Sequence, residues 1–231
     1  TIADSDAVRG TITLVVQEVG KSTMEMGTMS PGDPIEVVGP LGKPTHIENW
    51  GTCVCVGGGA GIAPLLPIAR ALRDGGNRVV SILGGRTEEL LILRPEMEEV
   101  SEEIYYTTDD GSFGVKGLVT HVLDTYIENS GQPDLVIAIG PAVMMRAVAD
   151  QTRPLEIPTM VSLNTIMVDG TGMCGGCRVP VGGEPRFVCV DGPEFDGHQV
   201  DFDEMMMRQK QYLPEEKQAY DHCKTHGCHK A

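Results

Sequence analysis

The chain has 231 residues, of which 41% are hydrophobic and 22% charged, and its formal net charge is −15 at pH 7. This length suits one or two domains with a real core, whereas the strong negative charge makes nucleic acids and anionic membranes poor partners. No run of 18 apolar residues could span a bilayer. Seven cysteines, three of them in a metal-ligand pattern, favour a reducing compartment. We therefore expect a cytoplasmic protein that uses neither a membrane nor nucleic acid as partner.

The N-terminal region predicts short strands separated by turns. Residues 10–19 are rich in β-branched side chains, which indicates a strand, and residues 34–38 predict a second one. Gly20 to Thr23 predict the turn between them, in which Ser22 and Thr23 are either turn residues or donors to a phosphate. Short strands with Gly and Pro turns and no helix indicate part of a β-barrel. The chain starts at Thr1, without methionine, and runs at once into Ile-Ala-Asp, so we expect an N-terminal portion to precede it.

The next region alternates apolar strands and helices. Residues 52–56 form a continuous apolar run, as expected for a buried parallel strand, with Cys53 and Cys55 in the core. Gly57-Gly-Gly-Ala-Gly61 follows, and then a helical stretch through Arg73. This order places a pyrophosphate at a helix N-terminus. Because the loop is not G-x-G-x-x-G, the general dinucleotide fingerprint is absent, and a tight turn without a ligand is the alternative.

Three more predicted strands end in polar or Gly-rich loops. The further strands and helices are predicted at residues 78–84, 102–108, 116–129, 134–140 and 143–151. Since the carboxyl ends of parallel strands line one edge of a sheet, we expect a ligand there. Arg86 either contacts a phosphate or pairs with Glu88, and Asp109 and Asp110 either accept from ribose hydroxyls or initiate a turn.

A glycine-rich stretch further on carries three cysteines in the pattern D-x4-C-x2-C-x11-C. Its candidate ligands are Asp169, Cys174, Cys177 and Cys189. The plant-type [2Fe–2S] spacing is C-x4-C-x2-C…C, so Asp169 stands where the first cysteine would be. Glycine lets backbone N–H groups approach closely, and cluster sulfurs accept hydrogen bonds from them. The pattern predicts a [2Fe–2S] cluster with Asp169 as its fourth ligand.

Other interpretations of this stretch stay open. Three cysteines with Asp169 or His198 could hold zinc, and Asp169 could instead hydrogen-bond its own backbone. A disulfide is disfavoured because three is odd. Residues 178–181 and 186–189 predict a hairpin carrying the last ligand, and a helix from Phe202 to about residue 220 is interrupted near Pro214.

The C-terminal tail contains further candidate ligands. They are His222, Cys223, His226, Cys228 and His229. Their spacing is compatible with a second metal site, and a frayed chain end is the alternative.

Taken together, several motifs resemble the ferredoxin–NADP reductase superfamily. These motifs are Gly-Pro-Leu-Gly (39–42), Gly-Gly-Gly-Ala-Gly-Ile-Ala-Pro (57–64), Gly-Gly-Arg (84–86) and Gly-Pro-Ala-Val-Met-Met (140–145). The cysteine loop running into Cys-Val-Asp-Gly-Pro-Glu-Phe-Asp-Gly (189–197) is similar to one group within it. That group holds the electron-transfer subunits of dihydroorotate dehydrogenase, with Cys as first cluster ligand, and the small subunits of NADH-dependent reduced ferredoxin:NADP oxidoreductase, with Asp. Asp169 favours the second kind.

The resemblance implies an α/β plus β architecture: a truncated FAD-binding β-barrel (1–46), a parallel-sheet NAD(P)-binding domain (47–157) and a small C-terminal [2Fe–2S] domain (158–231). The FAD contacts that it implies are Thr1, Ile2, Ala3, Val15, Val16, Gln17, Ser22 and Thr23. The nicotinamide nucleotide contacts that it implies are Gly58, Gly59, Ala60, Gly61, Ile62, Ala63, Gly84, Arg86, Thr87, Asp109, Asp110, Gly111, Gly140, Pro141 and Met144.

The resemblance also implies an activity. Hydride would pass between NAD(H) and FAD, and single electrons would pass to the cluster, without an acid–base catalytic side chain. The partner would be a larger flavin and iron–sulfur subunit, through which ferredoxin would act indirectly. The two subunits together could perform electron bifurcation. Glu88 and Glu89 favour NAD(H) over NADP(H), although Arg86 argues the other way. The alternatives are a subunit of dihydroorotate dehydrogenase and a non-catalytic, zinc-stabilised nucleotide-binding module.

Overall fold

The computed structural model describes residues 2–228. The strands are β1 (Ile2–Asp6), β2 (Thr11–Leu14), β3 (Thr52–Gly58), β4 (Arg78–Gly85), β5 (Glu103–Thr108), β6 (Val115–Lys116), β7 (Leu135–Ile139), β8 (Thr159–Ser162), β9 (Arg178–Val181), β10 (Glu184–Phe187) and β11 (Glu194–Asp196). The α-helices are α1 (Lys21–Gly27), α2 (Ile62–Asp74), α3 (Arg94–Val100), α4 (Val119–Ser130), α5 (Ala142–Thr152), α6 (Val188–Asp191), α7 (Phe202–Gln209) and α8 (Leu213–His226).

A seven-stranded sheet forms the centre of the molecule, in the order β11-β8-β7-β3-β4-β5-β6. Every neighbouring pair is parallel except β11 with β8. Residues 53–56 of β3 are fully buried because helices cover both faces, which is why this strand reads as an unbroken apolar run. The prediction of a parallel-sheet domain is confirmed.

Two apolar layers enclose the sheet. Helices α2 and α3 cover one face, with Leu65, Leu72 and Met97 fully buried. Helices α4 and α5 cover the other face, and this layer continues without a break into Cys177 and Cys189 of the cysteine loop. Each fully buried aliphatic side chain of this size stabilises the fold by about 1.5–3 kcal/mol. The cysteine loop is therefore anchored to the same core as the sheet.

The N-terminal region differs from its prediction. β2 ends at Leu14 rather than near residue 19, residues 34–38 form no strand, and the expected turn at 20–23 is the start of helix α1. The Thr23 hydroxyl accepts the Gly20 N–H at 3.0 Å, which satisfies an amide at the helix start. A strand needs a hydrogen-bonded neighbour, and within residues 2–228 β1 and β2 pair only with each other. The described residues thus form a hairpin and a helix here, and the truncated β-barrel stays a prediction.

The C-terminal region mostly agrees with its prediction. The hairpin β9–β10 forms, but its second strand ends at Phe187, so Cys189 lies on the short helix α6. The long helix divides into α7 and α8, with Pro214 in the first turn of α8, where proline is tolerated. Neither alternative for the tail foresaw the disulfide between Cys223 and Cys228, and His229 lies outside the described residues.

Strands β8 and β11 belong to the third predicted segment, yet they extend the sheet of the second. The boundaries 1–46, 47–157 and 158–231 stay a prediction. Among the helices at residues 2–228, none is both long and apolar enough to cross a membrane.

Candidate functional site

The strand order of the sheet reverses between β3 and β7, which places the switch-point crevice of such a sheet at the carboxyl ends of these two strands. The loops that leave the carboxyl ends of these two strands touch each other: a Cβ added to Gly140 would lie 3.1 Å from the Gly58 Cα. A Cβ on Gly61 would collide with the carbonyl oxygen of Ile139. Only glycine permits this approach of backbone to backbone. In open α/β sheets, ligands bind in such a crevice.

The loop after β3 presents backbone rather than side chains. Residues Gly59–Gly61 form a 3-10 turn and α2 begins at Ile62. The side chains of Ile62 and Ala63 are fully buried in the core, so the predicted contacts there can be made only by their main chain. The first N–H groups of a helix have no intrahelical acceptor and attract anions. The predicted residues 58–63, 140, 141 and 144 are brought together at this crevice.

The loops after β4 and β5 form the adjoining part of the edge. The Asp109 N–H donates to Gly85 O at 3.0 Å, and the Asp110 N–H donates to Arg86 O at 3.3 Å. The Asp110 carboxylate accepts both the N–H and the hydroxyl of Ser112, and these hydrogen bonds lower the pKa of Asp110. Asp110 therefore holds a turn, whereas Asp109 and Arg86 remain exposed. The two loops, with Gly84, Thr87 and Gly111, lie side by side.

Glu88 does not pair with Arg86. Its carboxylate lies 3.2 Å from the Arg94 guanidinium, and its N–H donates to the Ser112 hydroxyl. Within residues 2–228, Arg86 makes no ion pair, so its cation is available at the sheet edge. The alternative in which Arg86 pairs with Glu88 is wrong, and Arg86 stays a candidate phosphate contact.

The predicted FAD contacts lie on the N-terminal hairpin and the segment after it. Thr1 is outside the described residues. Ile2 is exposed, whereas Ala3 is buried where β1 packs on α2, next to an ion pair between Asp4 and Arg70. Val15 is half-buried, Val16, Gln17 and Ser22 are exposed, and Thr23 is half-buried with its hydroxyl bound to the backbone around Gly20.

Backbone N–H groups point at the three cysteine sulfurs. Gly176 donates to Cys174 Sγ at 3.3 Å, and Cys189 N–H donates to Cys177 Sγ at 3.5 Å. Burial raises the pKa of the Cys189 thiol, and a hydrogen bond from the Gly172 N–H opposes this rise. The Cys177 and Cys189 sulfurs are 3.2 Å apart, well beyond a disulfide bond of about 2.05 Å. Donors aimed at closely spaced thiols are what an iron–sulfur cluster uses.

The Asp169 carboxylate folds back onto its own loop. It accepts the N–H groups of Thr171 and Cys174, each at 2.6 Å. These hydrogen bonds, that of Thr171 first, lower the pKa of Asp169 to about 2, so the group is ionised at neutral pH. The structure thus shows the backbone role that the sequence left open. It also places the carboxylate beside Cys174, while Cys177 lies beside Cys189.

This two-plus-two arrangement suits a binuclear cluster better than a single ion. Among residues 2–228, no three His, Cys, Asp or Glu side chains converge on one point. His198 does not join the cysteines, because its Nε2 is hydrogen-bonded to the Thr152 hydroxyl at 2.9 Å. A [2Fe–2S] cluster divides its ligands between two irons. The residues present fit that group, and the zinc site with His198 does not form.

Sequence reasoning missed two groups around this loop. Arg178 and Arg208 donate to the carbonyl oxygens of the Gly175–Gly176 segment. Glu194 is half-buried beside a cavity of about 170 Å³ lined in part by Lys43 and His46. Arginines on separate elements and a glutamate inside a strand carry no spacing signal, so only the fold brings them to the site.

Two parts of the chain match known domain families. Residues 55–150 match the oxidoreductase NAD-binding domain, and residues 164–201 match the iron–sulfur cluster binding domain of dihydroorotate dehydrogenase B. The first range holds the crevice and the second holds the cysteine loop.

Relatives cover nearly the whole chain. It is 48% identical over 222 residues to the dihydroorotate dehydrogenase B (NAD(+)) electron transfer subunit homolog of Thermotoga maritima, spanning 96% of this chain and 78% of that protein. It is 32% identical to the corresponding subunit of Clostridium perfringens, spanning 83% and 76%. A solved structure of an NADH-dependent reduced ferredoxin–NADP oxidoreductase, studied for flavin-based electron bifurcation, superimposes with a TM-score of 0.88 at 46% identity, covering 96% of this chain and 80% of that one. The chain therefore belongs to the family of dihydroorotate dehydrogenase B electron transfer subunits and their homologues, oxidoreductase subunits that join an NAD-binding domain to an iron–sulfur domain.

Proposed function

We propose that this chain carries electrons between NAD(H), FAD and a [2Fe–2S] cluster as the small subunit of a ferredoxin:NADP oxidoreductase complex. One observation carries the proposal: a switch-point crevice and a two-plus-two ligand loop are built on one continuous apolar layer. A nucleotide site and a one-electron site fixed to the same core are what an electron-transfer subunit needs.

The crevice would take NAD(H). Main-chain N–H groups at the start of α2 would face the pyrophosphate, while Asp109 and Arg86 lie exposed where a ribose would sit. Because Arg94 neutralises Glu88, repulsion of a 2′-phosphate would fall mainly to Glu89. The name of the Thermotoga relative specifies NAD(+), which supports this choice, whereas the name of the superimposed structure contains both NADH and NADP.

The cysteine loop would hold the cluster through Cys177 and Cys189 on one iron and Asp169 and Cys174 on the other. When bound, FAD and the cluster supply the conversion between two-electron and one-electron transfer. The protein's own part is to orient the ligands and to direct N–H groups at the sulfurs. Asp169, already ionised, would exchange its backbone hydrogen bonds for iron.

Residues 1–46 would form part of an FAD-binding barrel. In this segment Val19, Val37 and Val38 expose two thirds or more of their surface, which a folded protein normally covers. Helix α8 packs against α1, which carries Ser22 and Thr23. The predicted FAD contacts on the hairpin and on α1 would then line one side of the flavin.

The cluster would exchange electrons with a larger flavin and iron–sulfur subunit, through which ferredoxin is reached. The rim beside Cys174 exposes apolar side chains, with Met173 at 89% and Val168 at 74%. Exposed apolar rims mark contact surfaces. The family name supports a dihydroorotate-oxidising partner instead, and Asp169 favours the ferredoxin:NADP kind. Co-purification with either enzyme separates the two.

Electron paramagnetic resonance of the anaerobically purified complex tests the proposal. We expect a [2Fe–2S] signal after reduction by NADH or dithionite, altered g values in Asp169→Cys, and loss of most of the signal in Asp169→Ala. Thr171→Ser, which leaves the carboxylate in place and keeps the hydroxyl that donates to Asp169 Oδ1 at 3.2 Å, is the control. A wild-type protein that contains zinc and gives no such signal would refute the electron-transfer proposal and favour a zinc-stabilised nucleotide-binding module. Identical spectra for wild type and Asp169→Cys would remove Asp169 from the iron.

A further inference from the structure

We propose that Arg208 is a positioning residue that orients one peptide of the cysteine loop and raises the reduction potential of the cluster. This inference rests on the proposed [2Fe–2S] site. It concerns a residue on α7, outside the loop and outside the ligand pattern.

The Gly175–Gly176 peptide is hydrogen-bonded on both sides. Its carbonyl oxygen accepts from the Arg178 backbone N–H and from Arg178 Nη1, each at 3.3 Å, and from Arg208 Nη2 at 3.5 Å. Its N–H, on Gly176, donates to Cys174 Sγ at 3.3 Å. In a trans peptide, the C=O and N–H point in opposite directions. Holding the carbonyl on the arginine side therefore aims the N–H at the sulfur.

Arg208 also holds the next peptide. Its Nη2 donates to Gly176 O at 3.2 Å, so one guanidinium spans two consecutive carbonyls of the C-x2-C turn. Two glycines give this turn little conformational preference of its own. The guanidinium supplies the constraint that the glycine sequence lacks.

Arg208 also brings a positive charge to the cysteine loop. Among residues 2–228, Arg208 has no carboxylate partner within ion-pair distance, and its Nε is buried without an acceptor. The small cavity beside it is lined by Thr165, Ile166, Val179 and Gln209 among others, none of them acidic. A half-buried cation is poorly screened by solvent. It therefore favours the state of the adjacent cluster that carries one more electron.

Arg208 must also be held rigidly, because a mobile arginine could neither orient the peptide nor keep its charge beside the cluster. Helix α7 is capped by Asp201, whose carboxylate accepts the Glu204 N–H at 2.9 Å. Met205, one turn before Arg208, is fully buried in the core. Gln209 donates to Asn164 O at 2.8 Å. The end of α7 is thus fixed on both sides of Arg208.

Potentiometric titration of the cluster, followed by electron paramagnetic resonance in the intact complex, tests the inference. Arg208→Gln removes the charge and should shift the midpoint potential to a more negative value and alter the g values. Arg208→Lys keeps the charge and should lie between Arg208→Gln and wild type. Lys210→Gln, an equal loss of charge two residues away on an exposed side chain, is the matched control and should leave the potential unchanged.

The outcomes separate this inference from the proposed function. A wild-type protein without a cluster signal would overturn both. A wild-type signal with the same potential in Arg208→Gln, or a shift as large in Lys210→Gln, would overturn only the role of Arg208. If Arg208→Gln binds no cluster, Arg208→Lys takes its place, because it keeps the charge but lacks the guanidinium that spans the Gly175 and Gly176 carbonyls. An unchanged potential in that variant would also overturn the inference.

Discussion

Asn77 links the segment before β3 to the sheet, and its removal should destabilise the whole nucleotide-binding region. The side chain is only 3% exposed. Its Oδ1 accepts the N–H groups of Trp50 and Gly51 at 2.7 and 3.2 Å, and its Nδ2 donates to the carbonyls of Glu48 and Leu72, both at 2.8 Å. One amide thus satisfies four backbone groups, its full conventional capacity.

The magnitude of the loss in Asn77→Ala follows from where these four groups lie. Leu72 is fully buried, but its carbonyl keeps the hydrogen bond from the Asn77 backbone N–H at 3.1 Å, so it loses only a net hydrogen bond of about 0.5–1.5 kcal/mol. The other three groups belong to half-buried or exposed residues that water can reach, and each loses a net hydrogen bond of about 0.5–1.5 kcal/mol. We expect the free energy of unfolding to fall by roughly 3–5 kcal/mol.

Urea unfolding measures this effect with two probes. Trp50 is the only tryptophan in the chain, so its fluorescence reports on the segment that Asn77 holds, while far-UV circular dichroism reports on the whole fold. In Asn77→Ala, the fluorescence transition should precede the dichroism transition. Asn77→Asp keeps the acceptor but turns an oxygen toward two carbonyls, and should lose at least as much stability. Coincident transitions with a loss below about 1 kcal/mol would refute the reasoning.

Two further predictions concern the crevice and the buried glutamate. Gly61→Ala places a methyl group against the Ile139 carbonyl oxygen and should weaken NADH binding, measured by calorimetry, at least tenfold. Gly20→Ala is the control and should not weaken binding, because a Cβ there meets nothing within 4 Å. Equal affinities of Gly61→Ala and wild type would show that the loops can separate. Burial raises the pKa of Glu194, although hydroxyl donors partly oppose it, so its contribution to stability is lost as pH rises through the folded-state pKa. Glu194→Gln should therefore be the more stable protein at pH 8, with the difference shrinking toward pH 4 in thermal unfolding; a difference independent of pH would contradict this.

Sequence reasoning succeeded where local pattern and tertiary environment agree. In the sheet domain, apolar runs such as residues 52–56 are followed by glycine loops, and burial on both faces leaves no other interpretation. The Asp-Cys-Cys-Cys spacing likewise predicted a loop whose sulfurs receive N–H groups. In these segments the local sequence pattern is enough to predict the tertiary environment.

It failed where partners decide the structure. Residues 34–38 have strand-like composition, but no neighbouring strand lies beside them in the described part of the chain. The turn expected at Ser22 became a helix because the Thr23 hydroxyl satisfies its first amides. Arg208 and Asn77 act through contacts with residues about 30 positions away, and no spacing rule reaches that far.

The continuous apolar layer from the sheet to Cys177 and Cys189 has a consequence for the kinetics of electron transfer. Close-packed interiors deform little, so these two sulfurs cannot shift without disturbing the apolar layer that they share with α5 and β7. The nuclear rearrangement that accompanies a change in the oxidation state of a cluster held by these sulfurs would therefore be small, and the separation between the nucleotide crevice and the cysteine loop would stay constant. Electron-tunnelling rates depend on a constant distance between donor and acceptor. Met145 is fully buried in this layer, so a smaller side chain there would leave a cavity and would slow electron transfer without changing any cluster ligand.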